Sequence, residues 1–150
     1  MRTDLNTALK SAMRERDQVA VSTIRLVLAA IKDRDIAARE RGVTDGIGDD
    51  EILSLLQTMV KQRNESISLY EQGGRVDLVE SEQAEIDVIR RFLPTQMDDA
   101  ETQAAVDAVI DDIGAAGLKD MGRTMQELRS RYVGRMDFAK ASGLVKQALA

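Results

Sequence analysis

The residues of this sequence that could do chemistry are basic side chains set beside glycines in its C-terminal third. Arginine presents N–H donors in a planar fork that fits a phosphate group, and glycine allows a backbone to approach a ligand closely. Next to the exposed amides of a helix N-terminus, this combination favours anion binding. We therefore predict a phosphate-binding site with these candidate residues: Lys119, Gly122, Arg123, Arg131, Gly134, Arg135 and Lys140.

A site of this kind would contact the backbone and shape of an RNA rather than its bases. Unstacked bases are usually recognised by stacking on aromatic side chains. Only Tyr132 and Phe138 stand near the candidate cations, and Phe138 fits the apolar stripe of a helix. The alternative interpretation is that these cations form an ordinary solvated helix face.

The net charge of −5 conceals an uneven distribution of charge along the chain. Residues 1–41 carry nine basic and six acidic side chains, and residues 117–150 carry seven and three. Residues 42–116 carry five basic and seventeen acidic side chains. The two ends are therefore basic and the middle is strongly acidic, so one end could offer an anion-binding face despite the overall negative charge.

The sequence argues against a self-contained enzyme. It has no Cys and no His, which removes thiolate chemistry, the usual general base and the commonest transition-metal ligand. It also lacks both glycine-rich nucleotide-binding motifs. Glu82 and Glu85 share a helix face, but without a liganding loop we interpret them as solvated acids that pair with Lys or Arg. We expect no catalytic residue, no metal and no cofactor; an unrecognised enzyme that uses Lys or carboxylates is the weakest alternative.

The elements that must position these residues are helices. Apolar residues recur at the spacing of three and four that is typical of amphipathic helices, and we predict an all-α fold of seven helices without strands. The fourth helix is expected from about residue 77 to residue 93. The predicted helix N-caps are Thr3, Asp17, Asp98, Asp120 and Asp137.

Pro94 is the only proline, and it divides the helical pattern into two parts. A helix interior does not accept proline without losing a hydrogen bond, so the helix that approaches it must end by Leu93. We predict a larger N-terminal helical subdomain over residues 1–94 and a small three-helix C-terminal subdomain over residues 95–150.

The sequence gives no sign of a membrane or export segment. No run of about eighteen apolar residues occurs, and the first residues alternate polar with apolar ones, unlike a signal peptide. We therefore expect a cytoplasmic protein that does not enter a membrane.

Several motifs, in order and with matching spacing along essentially the whole chain, resemble those of the YqeY-like family. The motifs are Val60–Ile67, Tyr70–Leu78, Ala84-Glu85-Ile86, Phe92–Met97, Lys119–Met125 and Gly134–Asp137. Members of this family are stand-alone proteins similar to the C-terminal tail of the B subunit of the glutamine-dependent aspartyl/glutamyl-tRNA amidotransferase.

The resemblance implies an all-helical fold and a link to amide transfer onto misacylated tRNA, because the amidotransferase tail helps to hold the tRNA. By position, the matching tail motif places Arg123 and Arg135 as the expected contacts, and Met136 stands where a small residue is expected. The catalytic parts of the amidotransferase are absent from this chain. A carbon–nitrogen ligase label with glutamine as amido-nitrogen donor would therefore be inherited from the family.

Two functional hypotheses follow from the sequence. The leading one is a non-catalytic tRNA-binding or amidotransferase-accessory module, with tRNA and components of an amidotransferase or a synthetase as partners and no DNA expected. The alternative is a helical protein–protein interaction module without an RNA role, in which the acidic middle or a helical groove binds the partner.

Overall fold

The structure, a computed structural model, describes residues 1–150 and is all-helical without strands, which confirms the predicted fold class. It has seven α-helices and one short 3₁₀-helix over Leu118–Asp120. The α-helices are α1 (Arg2–Glu15), α2 (Gln18–Arg39), α3 (Asp49–Gln72), α4 (Val76–Arg90), α5 (Asp99–Ile113), α6 (Met121–Tyr132) and α7 (Phe138–Leu149). None of these helices is both long enough and apolar enough to cross a membrane.

The helices belong to two compact units, each with its own apolar core. Unit 1 is Met1–Pro94 and holds α1–α4; unit 2 is Thr95–Ala150 and holds α5–α7. The core of unit 1 is centred on fully buried aliphatic side chains such as Leu5, Ile31 and Leu56. Unit 2 packs Val106, Leu128 and other apolar residues in the same way. Burial of these stripes supplies most of the stability of amphipathic helices.

Three of the predicted N-caps are confirmed by side-chain hydrogen bonds. The carboxylates of Asp17, Asp98 and Asp137 accept bonds from backbone N–H groups in the first turns of α2, α5 and α7. The distance from the Asp98 carboxylate to the amide of Glu101 is 2.7 Å. These caps depend only on neighbours within three residues, which is why the sequence pattern finds them.

One of the other two predicted N-caps is wrong, and the other is right in position but has no cap hydrogen bond. Helix α1 begins at Arg2, so Thr3 lies inside it, and Met1 takes the cap position without a side-chain bond. Asp120 takes the N-cap position of α6, but its carboxylate forms no cap hydrogen bond and instead accepts a 2.9 Å hydrogen bond from the amide of Ala116, in the preceding loop.

Helix α4 ends earlier than the apolar pattern predicts. Its last residue is Arg90, and the amides of Phe92 and Leu93 bond to carbonyls three residues back, as in tight turns. The residue before a proline avoids the helical region, so the chain leaves the helix before it reaches Pro94.

One ion pair fixes the start of unit 1. Arg2 donates two hydrogen bonds to the carboxylate of Asp35 in α2, at 2.9 and 2.7 Å, and one to the carbonyl of Ile47. The amide of Ile47 donates to the same carboxylate at 2.8 Å. The Arg2 guanidinium, with the Ile47 amide, lowers the pKa of Asp35 from 3.8 to about 2. Asp35 therefore joins α1, α2 and the connection before α3.

Candidate functional site

The seven candidate residues of unit 2 lie near both ends of α5 rather than at one end. Arg123 and Arg131 contact residues in or next to the last turn of α5, and Arg135 and Lys140 contact residues in its first turn. From Glu101 to Ile113, α5 rises by roughly 18 Å. A single phosphate group does not reach both sets of cations.

At the C-terminal end of α5, Arg123 is held by oxygen atoms of the protein itself. Its guanidinium donates to the carbonyl of Ile113 at 3.0 Å and to the carboxylate of Asp120 at 3.2 Å. The Ala116 amide, together with Arg123, lowers the pKa of Asp120. Asp120 thus places a negative charge where α6 begins, which is where the sequence predicted a phosphate to bind.

Arg131, also near this end, bridges two carboxylates. It pairs with Asp112 and with Glu127, each at 2.8 Å. Its hydrogen bond with Asp112, and then that with Glu127, raise the pKa of Arg131. All of the strong contacts of this guanidinium are therefore to acidic side chains of its own unit.

At the N-terminal end of α5, the other two cations are also occupied. The Nζ atom of Lys140 lies 2.6 Å from the carboxylate of Asp99, and this hydrogen bond raises the pKa of Lys140. Arg135 donates to the carbonyl of Thr95 at 3.3 Å and lies 4.0 Å from the carboxylate of Glu101.

The two candidate glycines differ in their access to a ligand. Gly122 is exposed in the first turn of α6, and the space that a side chain would fill there is open. Gly134 is buried, in a left-handed conformation with φ of 77°, and its carbonyl accepts a 2.6 Å hydrogen bond from Gln96. Because the turn at Gly134 is tied to the chain around Gln96, it serves the packing of unit 2. Met136, two residues after Gly134, is buried in the core of unit 2.

Lys119 is the only one of the five candidate cations that forms no ion pair and no hydrogen bond; it is exposed in the 3₁₀-helix. The structure therefore does not gather the candidate cations on one shared basic surface, as the sequence led us to expect. The cations are split between two ends of a helix, and four of them already contact carboxylates. RNA binding by these residues stays a prediction, and it would require exchange of those carboxylates for phosphates.

A second set of cations, outside the predicted site, lies in α1, α2 and the turn between them. All of its members are exposed and none forms an ion pair: Lys10, Arg14, Arg16, Arg25, Lys32, Arg34 and Arg39. Two further arginines of this region, Arg2 and Arg41, do pair with carboxylates. The net positive charge of residues 1–41 was the signal for this set.

Of the paired glutamates of α4, Glu85 has an ordinary structural partner, an ion pair with Arg63. Arg63, mostly buried in α3, donates to Glu85 at 3.0 Å and to the carbonyl of Met59 at 3.1 Å. Burial, with the nearby charge of Glu85, raises the pKa of Glu82. No group of three or more Asp and Glu side chains is arranged to hold a metal ion.

Comparison with known proteins identifies relatives along almost the whole chain. The family model described as "Yqey-like protein" matches residues 2–149. Curated relatives carry the name "Altered inheritance of mitochondria protein 41, mitochondrial". The protein of Pyrenophora tritici-repentis is 32% identical over 86% of this chain and 71% of its own length. Those of Eremothecium gossypii and Saccharomyces cerevisiae are 38% and 31% identical over 59% and 57% of this chain. These alignments span 46% and 44% of those two relatives, less than half of their length.

The expectation of a cytoplasmic protein is contradicted by these relatives, whose names are those of mitochondrial proteins. That expectation rested on the absence of a recognisable targeting segment.

Proposed function

The chain belongs to the YqeY-like family, and from that premise we propose that it is a non-catalytic accessory module that binds tRNA through the phosphate backbone. The observation that carries the proposal is the family match over residues 2–149, joined to the resemblance of this family to the tRNA-holding tail of the amidotransferase B subunit. Components of an amidotransferase or a synthetase would be its protein partners.

The charges of the molecule support a polyanionic ligand in spite of its net charge of −5. Seven exposed cations of α1, α2 and their turn have no carboxylate partner. In unit 2, Arg123 and Arg135 are about half exposed, and exposed ion pairs contribute little stability. A phosphate group, which also forms charge-assisted hydrogen bonds with arginine, can therefore replace Asp120 or Glu101 at small cost.

The amide-transfer chemistry associated with the family belongs, in this proposal, to the partners. The chain has no Cys or His to serve as nucleophile or base, and its serines have no histidine to activate them. We propose that the chain delivers or positions tRNA and that the ligase label describes its family relationship.

The test is a titration of the full chain with unfractionated tRNA at several salt concentrations. Phosphate contacts release counterions, so the logarithm of affinity should fall linearly and steeply with the logarithm of salt concentration. Absence of binding at low salt, or affinity that does not depend on salt, would overturn the proposal. Incubation with misacylated tRNA and glutamine should give no amidated product from this chain alone.

A second candidate function, a protein–protein interaction module, is favoured by one surface feature. Leu69 and Val76, at the end of α3 and the start of α4, are the most exposed large apolar side chains, at 67% and 66%. Both lie near the turn that joins these helices, and an exposed apolar patch is typical of an interaction site. A pull-down with and without ribonuclease tests this function: protein capture that survives ribonuclease and is lost in a Leu69→Asp, Val76→Asp variant would support it.

A further inference from the structure

Helix α2 presents a row of three unpaired cations, Arg25, Lys32 and Arg39, on its solvent-exposed face. We infer that this row, called here the α2 cation row, is the main contact of the protein with the RNA backbone. The inference rests on the proposed function and assigns it to residues outside the C-terminal candidate set.

The spacing of the three residues places them on one side of the helix. Seven residues correspond to almost two complete helical turns, so positions 25, 32 and 39 project in nearly the same direction. Successive members of the row are about 10 Å apart along the axis, and the whole row extends over about 21 Å. The opposite side of α2 is buried in unit 1 through Thr23 and Val27. Packing against α1 and α4 therefore holds the row in place.

The carboxylates near the row do not neutralise it by direct contact. Asp33 and Glu40 each follow a cation of the row in sequence, and adjacent residues on a helix do not face each other. Asp35 is engaged by Arg2 and the Ile47 amide, and Arg39 acts on it only as a nearby charge, without an ion pair. The three cations of the row are thus available to an anion without displacement of a protein partner.

The surface around the row suits a nucleic-acid backbone better than a protein partner. The large apolar side chains exposed on this part of α2 are Leu26 and Ile36, each half-exposed, and no aromatic residue occurs in the helix. A stable protein interface needs roughly 800 Å² on each side with apolar or aromatic anchors. Backbone contact needs only spaced cations and hydrogen-bond donors. Because no aromatic platform is present for unstacked bases, the recognition should be independent of base sequence.

The decisive experiment compares two triple variants of the full chain for binding of unfractionated tRNA. The row variant carries Arg25→Gln, Lys32→Gln and Arg39→Gln. The matched control carries Arg75→Gln, Arg90→Gln and Arg91→Gln, which removes the same charge from exposed positions at the two ends of α4. Glutamine is a good helix former, so both variants should keep the helical content of the wild type in circular dichroism.

The row variant should lose affinity and salt dependence, and the control should lose much less of both. Each lost phosphate contact lowers the slope of log affinity against log salt by about 0.7 to 0.9, so the row variant should lose about two units of slope and about a hundredfold in affinity at 0.1 M salt. Equal losses in the two variants would show a general charge effect and overturn the inference.

Two further outcomes separate this inference from the proposed function. If the wild type binds tRNA and the row variant binds it equally well, the α2 assignment is wrong while the proposed function stands. If the wild type binds no tRNA but binds poly-glutamate in a manner that depends on the row, the partner is an acidic protein, and both RNA proposals are overturned.

Discussion

The basic residues of α1 and α2 and those of unit 2 are similar in number but differ in what they contact. Of the nine in residues 1–41, only Arg2 and Arg41 form ion pairs with carboxylates. Of the seven in unit 2, four pair with carboxylates, and Arg129 lies over the ring of Phe138, 5.9 Å from its centre. The region with the clearer sequence motifs therefore has the fewer available cations.

The cause of this difference is the placement of acidic residues. Helix α5 carries Asp99, Glu101 and Asp112 at its two ends, where the basic side chains of α7, α6 and the turn between them lie within reach. The acidic residues of unit 1 lie mainly in α3 and α4, and the exposed face of α2 has no such neighbour in contact with Arg25 or Lys32. Local excess of charge in a sequence thus indicates anion binding only where the fold leaves that charge unpaired.

The largest expected effect comes from a core variant that destabilises unit 2. Leu128 is fully buried in its core, and Leu128→Ala should destabilise unit 2 by about 2 to 5 kcal/mol through lost contacts and a cavity. Chemical denaturation followed by circular dichroism measures this effect. If α2 carries the RNA contact, tRNA affinity should fall only slightly in the same variant.

The control for this core variant is Leu118→Ala, at a residue that is 52% exposed. It should change stability by less than about 0.5 kcal/mol. A large loss of tRNA affinity in Leu128→Ala, with helices α1 and α2 intact, would instead assign the binding to unit 2.

A second prediction concerns Arg2, the paired exception among the basic residues of α1 and α2. The pKa of Asp35 is lowered from 3.8 to about 2, so this carboxylate stabilises unit 1 above pH 4, and the contribution is lost as the pH falls toward 2. Asp35→Asn should be less stable than the wild type at pH 7, and the difference should narrow between pH 4 and pH 2. Urea midpoints at pH 7, 4, 3 and 2 measure this.

Asp33→Asn, at an exposed position on the same helix, serves as the matched variant for Asp35. At pH 7 it should lower the urea midpoint less than Asp35→Asn does, since Asp33 forms no ion pair. If the difference in urea midpoint between Asp35→Asn and the wild type is the same at pH 7 and at pH 2, the ion pair with Arg2 does not stabilise the fold.

The smallest expected effect comes from release of the paired cations in unit 2. The variant Asp99→Asn, Glu101→Gln, Asp112→Asn removes carboxylates that contact Lys140, Arg135 and Arg131. Exposed ion pairs contribute little stability, so tRNA affinity should rise by only about twofold to tenfold.

A control for this charge change removes three unpaired acids, through Asp50→Asn, Glu65→Gln and Glu71→Gln in α3. It has the same net charge and should raise affinity less. Equal gains in the two variants would mean that ion pairing in unit 2 has no bearing on tRNA binding.

The fold could be predicted from the sequence because it depends on local signals. The 3.6-residue apolar period gave the all-α class, and Asp17, Asp98 and Asp137 cap helices within three residues of their own positions. The N-terminus of α1 was missed because Met1 takes the cap position without a side-chain hydrogen bond, so no capping residue marks it. No periodicity contains that information.

The candidate site could be predicted only in part. Glycine and arginine spacing selected the candidate residues, but the partners of Lys140 and Arg135 lie about 40 residues earlier in the chain. Whether a cation is paired is a property of tertiary structure. The period of seven that relates Arg25, Lys32 and Arg39 is visible in the sequence, yet only the helix boundaries and the buried face of α2 make it meaningful.

The anchoring of Ile47 by Asp35 has a practical consequence for labelling this protein. A side chain at Gly46 would be strained by the φ of 88°, and its Cβ would lie 2.8 Å from the guanidinium of Arg2, which would have to shift. The residues just before it, Val43, Thr44 and Asp45, are exposed and outside any helix. A short epitope or a fluorophore-bearing cysteine inserted between Thr44 and Asp45 should therefore be tolerated. The same insertion after Gly46 would displace Ile47 and break its hydrogen bonds with Arg2 and Asp35.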